Sequence, residues 1–206
     1  MSKGVRFLWI IRTGETAWDV AGRLYGGEDL ALSDEGRAAT IEAIQRTPAL
    51  ARRIPKTIFT APDEASTATA ELIGAVYPIK SKLAPELVEP DLGVLAGLSV
   101  GELSERFERR ARQWDEDPSD LMPPEGEPFP EARRRIVGGF YKVLKKARSE
   151  TVGVVVHGFA GGFLRSALAG DPSGNPRRWM DGRPRIEGWM LPSDGVQRLA
   201  AGLDAR

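Results

Sequence analysis

The chain has 206 residues, 41% of them apolar and 28% charged, enough for one large domain with a sizeable core. Lysine plus arginine and aspartate plus glutamate both number 29, so the charges balance and the broad positive surface that nucleic acid demands is not expected. Cysteine is absent, which removes disulfides, thiolate metal sites and cysteine nucleophiles, and the one histidine, His157, excludes any mechanism that needs two.

In chain order, Val5 to Ile11 is an apolar run interrupted by Arg6, with no small-residue cleavage site. It reads as a buried strand and not as a signal peptide. Ser33 is placed to cap a helix running to about Thr47, with Asp34 and Glu35 in the first turn and Pro48 just beyond. Lys56 to Thr60 is a second strand candidate. Pro62 suits the first position of a helix that reaches Val76. Ser99 and Glu102 form a capping-box pattern, and the helix they open carries Leu103, Phe107, Ala111 and Trp114 on one face.

Five of the 15 prolines fall between Pro118 and Pro130, which predicts a surface excursion. With the helix before it, this makes a cap over about residues 99–130. A helix from about Glu131 to Ser149 turns Val137, Tyr141 and Leu144 inward. Val152 to Val156 is a further buried strand, and a last helix follows His157. Arg185 to Leu199, with Pro192 and Gly195 inside it, reads as an edge hairpin. Strands alternating with helices predict an α/β domain with a mostly parallel sheet, spanning residues 1–206. No run approaches 18 apolar residues, so a cytoplasmic protein without membrane spans is expected.

In open α/β sheets ligands bind beyond the carboxyl ends of the strands. Arg12 and His157 each follow a buried strand, and Gly14 and Gly158 come soon after them. Glycine at such places lets backbone approach a ligand closely. Position alone leaves two readings open: both residues converge on one crevice, or Arg12 is a solvated strand end and His157 a structural histidine.

Further motifs separate them. Arg12-Thr13-Gly14-Glu15-Thr16 with Trp18 resembles the Arg-His-Gly-Glu-Thr signature that opens histidine phosphatases of the phosphoglycerate mutase type. Gly22-Arg23, Gly26, Asp29, Leu32-Ser33 and Glu35-Gly36 continue the pattern. Thr60-Ala61-Pro62, with Thr69-Ala70-Glu71 behind, resembles the second phosphate-pocket segment. Glu89, followed by Gly93, Gly97 and Leu98, resembles the segment of the proton donor. Gly126-Glu127 with Arg135 resembles the next landmark, and Val154 to Gly158 the segment of the second pocket histidine. The resemblance implies a three-layer α/β/α sandwich around a mixed, mostly parallel sheet. It also implies a pocket in which Arg12, Gly14, Asp19, Arg23, Ala65 and Gly158 stand at ligand-binding positions and Thr13, Glu89 and His157 at catalytic ones.

Three of these positions depart from the family pattern. Thr13 stands where the family has its nucleophilic histidine, and a threonine hydroxyl is weak without an adjacent base. Ala65 stands where an arginine clamps the phosphate. Asp19 replaces an asparagine near the phosphate, where a carboxylate repels a dianion unless protonated or turned away. Losing two donors to a charged group costs roughly 3–6 kcal/mol of phosphate binding if the losses add. Loss of a covalent nucleophile costs up to about 10⁶ in turnover.

The leading expectation is therefore a degenerate phosphatase frame that does not form phosphohistidine and binds a small ligand, anionic or neutral, or a partner. One alternative is an enzyme using Glu89 and His157 as acid and base on a non-phosphorylated substrate. Another is a weak phosphomonoesterase with a changed mechanism. No cofactor and no metal site are expected, and a lone histidine argues against a dedicated metal centre. A homodimer through a sheet edge or cap helix is compatible with this reading.

Overall fold

The computed structural model describes Val5, residues 7–47, 52–147, 149–180, 182–192, 194–196 and Leu199. Its frame is a five-stranded sheet: β1 (Phe7–Arg12), β2 (Thr57–Thr60), β3 (Lys80–Leu83), β4 (Thr151–Val156) and β5 (Ile186–Met190), in the order β3-β2-β4-β1-β5. The pairs β1–β4, β2–β4 and β2–β3 are parallel and only β1–β5 is antiparallel.

The central strands are covered on both faces, which is why they read as unbroken apolar runs. Leu8, Ile10, Val154 and Val156 point to one side, where they meet Phe140, Leu144, Phe163 and Leu164. Trp9, Ile11 and Val155 point to the other, against Ile44, Ala70 and Ile73. The first set of partners lies on α6 (Phe129–Lys146) and α7 (Gly158–Ala169), the second on α2 (Asp34–Gln45) and α3 (Glu64–Val76). The three layers are thus α/β/α. Three further helices are α1 (Ala17–Val20), α4 (Val100–Arg106) and α5 (Glu108–Glu116).

Several boundaries depart from the sequence expectation. Arg12 belongs to β1 and pairs with Val156. Helix α3 is capped by Asp63, whose side chain accepts from the Ser66 amide, so Pro62 precedes the helix instead of opening it. The capping box at Ser99 and Glu102 forms, but the helix breaks at Phe107, whose backbone (φ −142°, ψ 52°) is not helical. Helix α6 begins at Phe129 and ends at Lys146, short of Ser149. Arg185 to Leu199 yields one strand, β5, and no second strand among the described residues; residues 193, 197 and 198 lie outside them. The proline-rich stretch holds a 3-10 turn at Pro118–Asp120, and its Leu121 and Phe129 are buried in the main core.

Among the described residues no helix is long and apolar enough to cross a membrane. No group of three or more acidic, histidine or cysteine side chains there could hold a metal ion.

Candidate functional site

The carboxyl ends of β1 and β4 open into a cleft of about 140 Å³. It is lined by Arg12 at the end of β1, by Thr13 and Glu15 just after it, by Asp19, Arg23 and Tyr25 from the following segment, by Glu89, and by His157 to Phe159 at the start of α7. Arg12, Thr13, Asp19, Arg23, Glu89, His157 and Gly158, all singled out in the sequence, therefore meet in one place. Gly14 and Ala65 do not line it.

The segment after β1 is held from below. The Thr13 amide donates to the Val156 carbonyl at 3.0 Å. Its hydroxyl lies 3.0 Å from Ser66 Oγ, and the Gly14 amide donates to Thr69 Oγ1 at 3.0 Å. Thr13 is 3% exposed, so its hydroxyl is a buried hydrogen-bonding group tied to α3. The glycine at 14 serves packing, not a ligand: a Cβ there would sit 2.7 Å from Leu32 and 2.8 Å from Thr40 Oγ1.

Asp19 is turned toward its own helix. Its Oδ2 accepts from the Thr16 amide and from the Thr16 hydroxyl, both at 2.8 Å, completing a capping box on α1. Arg23 donates to the Gly97 carbonyl at 2.6 Å and lies 3.6 Å from Glu102. Glu15 pairs with Arg185 at 2.7 Å. The Arg12 guanidinium is exposed and has no hydrogen-bond or ion-pair partner among the described residues.

His157 is 6% exposed and stands at the N-cap of α7. Its Nε2 is 3.1 Å from Asp63 Oδ1, and the Tyr25 ring stacks on the imidazole at 4.2 Å between centroids. Burial alone would raise the Asp63 carboxyl, but the hydrogen bond and charge of His157 and the Ser66 amide outweigh it and hold it below its ordinary value. Burial raises the Tyr25 phenol well above its usual range, and the surrounding carboxylates of Asp63, Glu89, Glu28 and Asp19 push it further.

Glu89 fills the beginning of α7. Its two oxygens accept from the Phe159 amide at 2.6 Å and the Ala160 amide at 2.8 Å, so the helix N-terminus has its anion from within the chain. Burial raises the Glu89 carboxyl above its ordinary value even though His157 and the two amides favour the charged form.

Arg135 fixes the segment that delivers Glu89. It donates to Glu127 through Nε (2.8 Å) and Nη2 (2.5 Å), while Nη1 donates to the Glu86 and Val88 carbonyls at 2.9 Å each. Gly139 lets α6 approach, since a Cβ there would lie 2.2 Å from Glu86 Cβ. Arg135→Ala is expected to cost about 2–3 kcal/mol, because charge-assisted bonds to a half-buried guanidinium are lost. Urea denaturation measures it, and a loss below about 0.5 kcal/mol would show that Arg135 is not the clamp.

Asp63, Ser66, Tyr25 and Met180 were not singled out in the sequence. Asp63 carries one usable signal, an acidic residue directly before a helix, the usual place of a cap.

The matches to known proteins bear on the family and the fold. The family model of the histidine phosphatase superfamily, branch 1, matches residues 8–182. A protein from Cronobacter sakazakii named Probable phosphoglycerate mutase GpmB is 30% identical over 171 residues, 83% of this chain and 78% of that one. In structure, YhfR of Bacillus stearothermophilus aligns with a TM-score of 0.78 at 22% identity, covering 91% of this chain and 92% of the other. The alpha-ribazole phosphatase of Shigella flexneri aligns with a TM-score of 0.76 at 19% identity, covering 91% of each. Thus the chain belongs to the histidine phosphatase superfamily, branch 1.

Proposed function

We propose that this chain keeps the frame of a histidine phosphatase without carrying a phosphoryl group, and that its cleft holds a small ligand. The observation that carries this reading is the Asp63 carboxylate on His157 Nε2, 3.1 Å away and buried. A carboxylate on the imidazole competes with any anion there. The other donors fare alike: Glu89 takes the Phe159 and Ala160 amides, Ala65 offers no side-chain donor, and the Thr13 hydroxyl is engaged by Ser66. A mutase or phosphatase role, as in the names of the relatives, needs a group that accepts and returns phosphate. Threonine forms a stable ester instead of a labile phosphoramidate.

The test is a panel of phosphate esters with the purified protein, together with a search for acid-labile phosphate on the chain. No phosphohistidine is expected, and turnover should lie on the order of 10⁶ below that of a superfamily member with its nucleophile. Turnover that His157→Ala abolishes would overturn the reading and call for a new nucleophile. Thr13→His with Ala65→Arg, assayed beside it, asks whether activity returns to the frame.

A second reading is favoured by the same pair. Asp63 orients the imidazole as a carboxylate does in hydrolytic triads, and Glu89 has a raised carboxyl. These are the parts of an acid and a base for a non-phosphorylated substrate such as an ester or lactone. A pH–rate profile on such substrates that vanishes in His157→Ala would favour it over simple binding.

A further inference from the structure

We propose that the ligand of the cleft is a small monocarboxylate with an apolar body, held by Arg12. This rests on the reading that the phosphate seat is filled from within. The charged groups of the cleft differ in what they have left to give. Arg23 is engaged by Gly97 and Glu102, Glu15 by Arg185, Asp19 by Thr16, Glu89 by two amides and His157 by Asp63. Arg12 alone among the charged lining residues has no partner among the described residues.

One free guanidinium matches one carboxylate, whose two oxygens it meets through parallel N–H groups. A second negative charge would face Glu15, Asp19 and Glu89, and the other lining arginine, Arg23, is already held by Gly97 and Glu102. The remaining walls are apolar or aromatic: Leu24, Tyr25, Trp114, Phe159 and Met180. They suit a short hydrocarbon or a single ring, and about 140 Å³ admits little more.

The experiment is calorimetric titration of the native protein with four probes: benzoate, butyrate, inorganic phosphate and benzylamine. Arg12→Gln is titrated with the same set, and its fold is checked by thermal unfolding, which an exposed side chain should leave unchanged. Benzoate or butyrate should bind tightest. Arg12→Gln should weaken that binding by about 10- to 100-fold, the range expected for losing bonds to a charged group. Carboxylate binding that survives in Arg12→Gln, tighter binding of benzylamine, or no binding of any probe overturns this inference and leaves the filled-seat reading standing. Phosphate bound as tightly as benzoate sinks both.

Discussion

Glu187→Gln is expected to cost about 3–5 kcal/mol of stability, among the largest losses available to a single polar change in this chain. Glu187 on β5 pairs with Arg165 on α7, and their side chains are only 10% and 5% exposed. Burial lowers the Arg165 guanidinium from its usual value, against the pull of Glu187, yet arginine remains charged at neutral pH. Removing the carboxylate leaves a buried cation with only neutral partners. Arg183, 3.9 Å from Glu187, loses that ion pair as well and keeps only its contact with the Trp179 ring among the described residues. Arg165→Met combined with Glu187→Leu should cost far less than Glu187→Gln alone, because no charge is then stranded. Urea denaturation of the three variants decides it. A single variant as mild as the double would mean the pair is solvated and the argument wrong.

The second large effect belongs to Asp63. Asp63→Ala removes the cap of α3, about 1 kcal/mol, and leaves a buried imidazole without its partner, about 1–3 kcal/mol. A total of about 2–4 kcal/mol is expected on that sum. The pH dependence follows from the direction of the shift. The folded-state carboxyl titrates below its unfolded value, so its contribution is complete above the ordinary aspartate range near 4 and fades as pH falls through the lower folded value. Glu89 has the opposite sign. Its folded-state carboxyl is raised, so the folded protein holds the proton more firmly, and stability from this group declines as pH rises from the ordinary glutamate value through the folded one. Asp63→Asn keeps a capping oxygen but should flatten the acid limb of a stability–pH curve. An acid limb as steep as that of the native protein would place the dependence elsewhere.

The central strands and the convergence of Arg12 with His157 were legible because a strand buried on both faces leaves an unbroken apolar run, and such runs end at the ligand-binding edge. Strand β3 was not. Its four residues, Lys80 to Leu83, are all exposed at the sheet edge, so no burial pattern marks them. The break at Phe107 carries neither glycine nor proline, so no local breaker marks it. The role of Gly14 was misread because the atoms that forbid a side chain there, on Leu32 and Thr40, are brought in by folding. Asp63 was missed for a related reason: its partner lies 94 residues away. Local sequence shows a cap, and only the assembled sheet shows that the cap also faces the imidazole.

The stacking of Tyr25 on His157 has a spectroscopic consequence. With one histidine in 206 residues, every imidazole resonance in a proton or nitrogen NMR spectrum arises from this cleft and needs no assignment. A phenol ring 4.2 Å away and nearly parallel shields the carbon-bound imidazole protons by its ring current. Movement of that ring, or a change of imidazole tautomer when something enters the cleft, is therefore written into a one-dimensional spectrum of the unlabelled native protein.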